Sequence, residues 1–230
     1  MRLAKPHIDV GLFSNLRDAQ LAFWSGPVGL SYDHMAKIGG GVQQHRHLVN
    51  GSILKMNHAR DPLPDVPPSG YRELFIARPG VAEARSLVDP DGNRVTLVQP
   101  GTDGITGVAV GLGVRDVAQA ARFYGDVLGF EPLADGVFRC GDSLIRLEAD
   151  ATVLPTGDWR ARGYRYVTVQ VHQVDLEHAG ILARGGAEGM PPTAFGDTAR
   201  VSFVRDPDGN WIEISERASV TGKPIAASAP

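Results

Sequence analysis

The chain has 230 residues, of which 43% are hydrophobic and 21% are charged, an ordinary balance for a globular protein. Its formal net charge is −3, and it contains no run of Lys and Arg and no apolar stretch near the roughly 20 residues of a membrane-spanning helix. We therefore expect no nucleic-acid partner and no membrane partner. Cys140 is the only cysteine, and the N-terminus leads into a strand without a signal-peptide segment, which indicates a cytoplasmic protein without disulfides.

An internal repeat divides the chain into two similar halves. The tripeptide at 10–12, Val-Gly-Leu, recurs at 110–112, and the pentapeptide Asp-Pro-Asp-Gly-Asn occurs at 89–93 and again at 206–210. Several matches in the same order predict two related domains. We place these domains at 1–103 and 104–218 and expect 219–230 to be a flexible tail.

The first half begins with a strand in "IDVGLFS" and a helix in "SNLRDAQLAFWSGPVG". Asn50-Gly51 then predicts a hairpin with a two-residue loop, which sets Val49 opposite Ser52 and Arg46 opposite Lys55. In this register Lys55 and Asn57 share one face of the sheet, whereas His45 and His47 share the other, apolar face. The segment "ELFIARPGVAEARSLVD" runs from strand to strand without a helix.

The second half repeats this order with one additional helix. "VAVGLGV" predicts a strand, and Asp116 with Gln119 predicts the capped start of a helix that ends at Gly129. Alternation in "GDSLIRLEAD" places Arg146 and Glu148 on the polar face of a strand. A third helix is predicted from 175 to about 185, and its counterpart is missing from the first half.

The polar positions of the strands predict a cleft. Asp9 shares its face with Gly11, Glu73 aligns with Tyr166, and the strands after the two repeated pentapeptides bring Thr96 and Glu213 to equivalent places. A polar face that includes glycines favours a curved sheet around a cleft, where little side-chain volume is wanted.

These segments resemble the vicinal oxygen chelate superfamily, which includes glyoxalase I, bleomycin-resistance proteins and extradiol dioxygenases. The resemblance is carried by "VAVGLGVRDVAQAARFYGDVLGFEPL", "RYVTVQVHQVDLEHAGILARGGAEG" and "VSFVRDPDGNWIEI", and it covers nearly all of 107–217. It implies an α+β fold of tandem βαβββ modules, which form two glyoxalase-like domains with curved mixed sheets around open clefts. The first domain would have a trimmed second module.

The resemblance also implies a divalent metal ion (Zn, Ni, Mn, Fe or Mg) that a substrate chelates through adjacent oxygens. Carried over position by position, the ligand places of the second half hold Ala109, Glu148, Tyr166 and Glu213, and those of the first half hold Asp9, Asn57, Glu73 and Thr96. The dioxygenase pattern has histidines where Ala109 and Tyr166 stand, so we do not expect extradiol ring cleavage. A metal would have to be held by carboxylates, such as Glu148 with Glu213 or Asp9 with Glu73.

Each candidate residue has a functional and a structural interpretation. Glu213 is the strongest candidate, as metal ligand or general base, and Tyr166 is either a donor to a substrate oxygen or a packed tyrosine. The cations and the amide on the polar faces either bind an anionic substrate or solvate cross-strand charges; they are Arg46, Lys55, Asn57 and Arg146.

Two functions are consistent with this pattern. The first is a metal-assisted lyase or isomerase that acts on a small oxygenated organic substrate. The second is a non-catalytic protein that binds small molecules, of the drug-sequestering kind, and the residues Ala109, Asn57 and Thr96 at ligand positions favour it. A site within one chain and a site across a homodimer are both open.

Overall fold

The computed structural model describes residues 1–225; the end of the predicted tail, 226–230, lies outside the described residues. The strands are β1 (Asp9–Ser14), β2 (Ser31–Gly39), β3 (Val42–Val49), β4 (Ser52–Ala59), β5 (Tyr71–Ala77), β6 (Arg85–Val88), β7 (Arg94–Val98), β8 (Val108–Val114), β9 (Glu131–Ala134), β10 (Val137–Cys140), β11 (Ser143–Ala149), β12 (Gly163–Gln170), β13 (Ala187–Phe195), β14 (Ala199–Arg205) and β15 (Trp211–Arg217). The helices are α1 (Arg17–Ser25), α2 (Val117–Arg122), α3 (Val174–Ala183) and α4 (Ala218–Thr221). A π-helical segment, Phe123–Val127, continues α2, and a 3-10 turn lies at Thr102–Gly104.

The strands form two open mixed sheets, which confirms the predicted fold class. Sheet 1 has the strand order β13-β14-β15-β12-β1-β4-β3-β2, and sheet 2 has the order β6-β7-β5-β8-β11-β10-β9. In sheet 1, β1 is antiparallel to β12 and parallel to β4; in sheet 2, β8 is antiparallel to β5 and parallel to β11. None of the helices in residues 1–225 is long and apolar enough to cross a membrane.

Each sheet combines one module from each half of the chain. Sheet 1 joins the first module (β1 to β4) to the last one (β12 to β15), and sheet 2 joins the two middle modules (β5 to β7 and β8 to β11). The short connection 99–107 keeps the middle modules side by side, whereas the longer connections 60–70 and 150–162 pass from one sheet to the other. Residue 103 therefore lies in the connection between two modules of the same sheet. The domain limits 1–103 and 104–218 stay a prediction from the sequence repeat.

Local predictions of hairpin and helix ends are confirmed. Val49 pairs with Ser52 and Arg46 pairs with Lys55, and Asn50 and Gly51 adopt φ angles of 47° and 81°, as a type I′ turn requires. The side chain of Asp116 accepts a hydrogen bond from the backbone N–H of Gln119 at 2.9 Å. As expected, α3 has no counterpart between β5 and β6.

One hydrophobic core lies between the apolar faces of the two sheets and their helices. Leu54 of sheet 1, Ile145 of sheet 2 and Trp24 of α1 are each fully buried in it. His45 and His47 stand opposite Met56 and Leu54 in the sheet register, on this face and away from the polar one, as predicted. Burial lowers the pKa of His47 to about 4, so the ring is a neutral member of the packed interior at pH 7.

The two repeated pentapeptides form turns with the same internal hydrogen bonds, and each turn joins two neighbouring strands of one sheet. In each copy the first Asp accepts hydrogen bonds from the two backbone N–H groups that follow the Pro and the Gly, and its second carboxylate oxygen accepts one from the Asn side chain. The Asn of the second copy accepts a hydrogen bond from the N–H of Gly70, at the start of β5, at 2.6 Å. The turn is therefore scaffold, and it delivers Thr96 in sheet 2 and Glu213 in sheet 1.

Candidate functional site

A cavity of about 620 Å³ lies against the polar face of sheet 1. This volume is within the range of sites that hold drug-sized ligands. We call this cavity the cleft. Its lining residues come from β2, β3 and β4 of the first module, from the loop before β12 and from the last module; they are His34, Ala36, Lys37, Ile38, Gly39, Gln44, Arg46, Lys55, Trp159, Arg160, Tyr166, Met190, Phe195, Gly196, Thr198, Ala199, Val201, Phe203, Glu213 and Arg217.

A buried ion pair occupies the inner end of the cleft. The Lys55 ammonium donates to Glu213 Oε2 at 2.9 Å and to Thr168 Oγ1 at 2.7 Å, and Thr168 in turn donates to the same Glu213 oxygen at 2.8 Å. Lys55 is 1% exposed and Glu213 is 7% exposed. Burial lowers the pKa of Lys55, and the charge of Glu213 opposes that shift. Glu213 Oε1 makes no hydrogen bond within residues 1–225.

The sheet register explains why these side chains meet. Lys55 of β4 is beside Gly11 of β1, Gly11 is beside Tyr166 of β12, and Thr168 of β12 is beside Glu213 of β15. A Cβ on Gly11 would lie 2.2 Å from the Tyr166 ring. The glycine on this polar strand therefore makes room for an aromatic ring, and the Lys55 ammonium lies 5.4 Å from the centre of that ring.

Tyr166 is a packed residue of an aromatic wall. Its hydroxyl oxygen accepts a hydrogen bond from Asn57, and burial raises its pKa well above the ordinary value, so it stays protonated. Trp159 lies 6.0 Å from Tyr166 and 5.1 Å from Phe203, measured between ring centroids. Phe13 packs edge-on against Trp159 at 5.4 Å. This wall provides apolar contact area for a ligand in the cleft.

Two of the three arginines that line the cleft have a buried Nε–H and no carboxylate partner in the described chain. Arg46 is 8% exposed and donates from Nη1 to the side-chain oxygen of Gln44 at 3.0 Å. Its Nε–H and the Nε–H of Arg217 are both buried without a hydrogen-bond partner in residues 1–225. Burial lowers the pKa of Arg46, and the positive charge of Arg217 lowers it further.

Asp9 and Asn57 are near the cleft, but both have structural partners and neither lines it. Asp9 is 1% exposed, pairs with Lys5 at 2.6 Å and accepts a hydrogen bond from the backbone N–H of Ile53 at 2.8 Å. Asn57 is fully buried and joins Gln44, the Leu12 carbonyl and the Tyr166 hydroxyl. The roles of metal ligand for Asp9 and of substrate contact for Asn57 stay predictions that these bonds do not favour.

The other predicted residues lie in sheet 2, away from the cleft. Glu73 accepts a hydrogen bond from Thr96 and pairs with Arg94 at 3.4 Å. Arg146 stacks over the ring of Phe75 at 5.3 Å, and Glu148 is exposed. The proposed pairs Glu148 with Glu213 and Asp9 with Glu73 are thus split between the two sheets. The reason is the pairing of modules, since each sheet takes its ligand positions from both halves of the chain.

The donor set of the cleft does not fit a divalent metal ion. Only Glu213 and the exposed His34 among its lining residues are of the types that bind metals most often, and no group of three or more His, Cys, Asp or Glu suited to a metal occurs in residues 1–225. The Glu213 carboxylate is already neutralised by the Lys55 ammonium at 2.9 Å. A metal bound to Glu213 would stand beside this ammonium as a second positive charge and be repelled by it.

A sequence profile described as the Glyoxalase/Bleomycin resistance protein/Dioxygenase superfamily matches residues 107–214. The match places residues 107–214, slightly less than half of the chain, in this superfamily. Its overall fold is similar to a point mutant of glyoxalase I from Zea mays (14% identity, TM-score 0.72, covering 94% of this chain and 93% of that chain) and to glyoxalase I from Zea mays itself (13%, 0.69, 94% and 92%). It is also similar to a putative dioxygenase from Bacillus subtilis (12%, 0.64, 94% and 86%). At these identities the likeness shows the fold alone. No curated protein sequence matches the chain.

Sequence reasoning missed three important residues of the cleft. Arg217 lies four residues after Glu213 on β15, so strict alternation along the strand places both side chains on one face. Phe203 is opposite Glu213 in the β14–β15 register, which becomes clear once the antiparallel pairing is known. Trp159 lies in the irregular segment before β12, where no periodic pattern indicates its position.

Proposed function

We propose that this superfamily member binds a small organic molecule in the cleft of sheet 1 without a metal ion. The observation that carries the proposal is the buried Lys55–Glu213 pair at the inner end of the cleft. The Lys55 ammonium lies beside the Glu213 carboxylate, which would otherwise be the best metal ligand, and already supplies its positive partner. The aromatic wall of Tyr166, Trp159 and Phe203 supplies the apolar surface that a ligand needs.

The test compares a neutral aromatic probe with and without metal. We expect 2-naphthamide to bind with the same affinity in the presence of EDTA, Zn²⁺, Ni²⁺ or Mn²⁺, as followed by calorimetry, because no metal takes part. Phe203→Ala, which removes part of the wall, should weaken binding about 10-fold or more, since a buried aromatic ring contributes roughly 1.5–3 kcal/mol. Phe75→Ala in sheet 2 is the matched control and should leave the affinity unchanged. Binding that requires a metal would refute the proposal, and so would failure of the protein to bind both this probe and its carboxylate analogue, 2-naphthoate.

A metal-independent isomerase is the second candidate, favoured by the free oxygen of Glu213. Oε1 has no hydrogen bond in the described chain and belongs to a residue that lines the cleft, so it is positioned to accept a proton from a carbon next to a carbonyl group. The Lys55 ammonium beside it would stabilise the enolate oxygen that forms.

This second candidate predicts hydrogen exchange at an enolisable carbon. With phenylpyruvate in D₂O, the protein should accelerate loss of the methylene proton signals in NMR, and Glu213→Gln should abolish that acceleration while binding is kept. If phenylpyruvate binds and its exchange is no faster than in buffer, the protein binds this ligand without catalysis.

A further inference from the structure

Arg46 is a buried cation that makes no salt bridge to a carboxylate in the described chain, and the charges of Asp9, Asp33 and Glu213 act on it only from a distance. It is 8% exposed, and its one hydrogen bond in residues 1–225 runs from Nη1 to Gln44, while its Nε–H has no partner there. A guanidinium has five N–H donors in a planar fork, so most of its donor capacity is unused. Leaving such a group buried and unpaired is costly, which points to a ligand that completes it.

Arg217 adds a second cation to the same cavity. Its Nε–H is also buried without a partner in the described chain, and both residues line the cleft. The two positive charges are close enough to repel each other, since the charge of Arg217 lowers the pKa of Arg46. The acidic residue that lines the cleft, Glu213, is already paired with Lys55. It makes no salt bridge to either arginine in the described chain, so their positive charges lack a direct partner.

We propose that Arg46 and Arg217 form a carboxylate-binding subsite and that the ligand of the cleft is an aromatic carboxylate whose rings pack against Trp159 and Phe203. This inference rests on the proposed binding function. The planar guanidinium matches the two oxygens of a carboxylate, and the aromatic wall lies in the same cavity. Lys37 and Arg160, which are exposed cations lining the cleft, attract the anion from solution.

The experiment uses two probes of nearly the same shape, one with a carboxylate and one with a neutral amide in its place. 2-Naphthoate carries the carboxylate, and 2-naphthamide carries the amide. We expect 2-naphthoate to bind the full-length protein about 30-fold or more tightly than 2-naphthamide, because a charge-assisted bidentate contact is about twice as strong as a neutral one. The preference should decrease as salt is raised, since exposed cations contribute to attraction.

Arg46→Met and Arg217→Met should each weaken 2-naphthoate binding about 30- to 100-fold and change 2-naphthamide binding less than about 3-fold, so that the preference for the anion disappears. Arg139→Met, which removes an exposed arginine of sheet 2, is the control for net charge and should keep the preference. Thermal unfolding of each variant checks that it is folded, and Arg46→Lys, which keeps the charge but not the fork, should recover part of the affinity.

Two results would overturn the inference. If both probes bind with equal affinity, the cleft binds aromatic molecules but has no carboxylate subsite, and the proposed binding function survives without it. If the arginine variants weaken both probes equally, the arginines support the shape of the cleft and not the anion. Failure of both probes to bind would refute the binding function itself.

Discussion

Replacing Lys55 by Met should destabilise the protein by about 3–5 kcal/mol, because it leaves the Glu213 carboxylate buried and unpaired. At 2.9 Å the direct attraction in the pair is about 6 kcal/mol for an effective dielectric constant of about 20. This gain is largely offset by the cost of removing both ions from water, so the pair as a whole contributes little. Glu213→Leu should cost a similar amount, since it leaves the ammonium alone.

The double variant Lys55→Met/Glu213→Leu should lose only about 1–3 kcal/mol, mainly from the hydroxyl of Thr168, which then lacks both partners. Urea unfolding at pH 7 measures each free energy of unfolding. Arg146→Met, at the equivalent position of sheet 2, is the matched control; its pair with Asp103 is solvent-exposed, so the loss should be below about 1 kcal/mol. Additive single effects, or single effects below about 1 kcal/mol, would show that the pair is not the buried unit described above.

Three further predictions follow from the same contacts. Gly11→Ala should cost about 1–3 kcal/mol and weaken 2-naphthamide binding, because its Cβ would meet the Tyr166 ring at 2.2 Å, whereas Gly111→Ala, with Phe75 at 3.4 Å, should be tolerated in thermal unfolding. Tyr166→Phe should leave 2-naphthamide affinity within about 3-fold by calorimetry, since its hydroxyl bonds to Asn57 and stays protonated; a large loss would make it a ligand contact. Burial lowers the pKa of His47 to about 4, so the folded state binds fewer protons than the unfolded state and the free energy of unfolding falls as the pH drops from about 6.5 to 4. In urea unfolding, His47→Leu should lose less stability over this pH range than the original protein. An equal loss in both proteins would contradict the assignment.

The elements of the fold could be predicted because their signals are local. Asn50-Gly51 fixes the register of β3 and β4 through backbone conformation alone, and this register places Lys55 on the polar face and Leu54 in the core. Asp116 likewise predicts the start of a helix from its own neighbours. Such features depend on a few adjacent residues and not on the rest of the chain.

The composition of the cleft could not be predicted because it depends on which modules share a sheet. The repeat suggests that Glu213 belongs with Glu148 of its own half, but pairing of β1 with β12 brings Glu213 to Lys55, 158 residues away in sequence. Neither hydrophobic alternation nor turn residues contain information about this choice. Trp159, in an irregular loop, could be placed only by the folded chain.

The pairing of modules gives the polar faces of the two sheets different side chains. In sheet 1, Thr168 of β12 lies between Asp9 of β1 and Glu213 of β15. The equivalent residue of sheet 2 is Phe75 of β5, which lies between Ala109 and Thr96. In sheet 1 the cation and the acid of the polar face meet as Lys55 and Glu213. In sheet 2 the equivalent cation, Arg146, turns to the linker at Asp103, and Ile105 of the same linker is buried in an apolar cluster with Ala109.

The linker that joins the two halves thus packs against part of the polar face of sheet 2. A ligand of the size of the cleft has room against sheet 1, where the loop before β12 contributes Trp159 as a wall. The face that carries the cleft is the one built from the first and last modules, where Trp159 packs with Phe13 and Tyr166 in an apolar cluster.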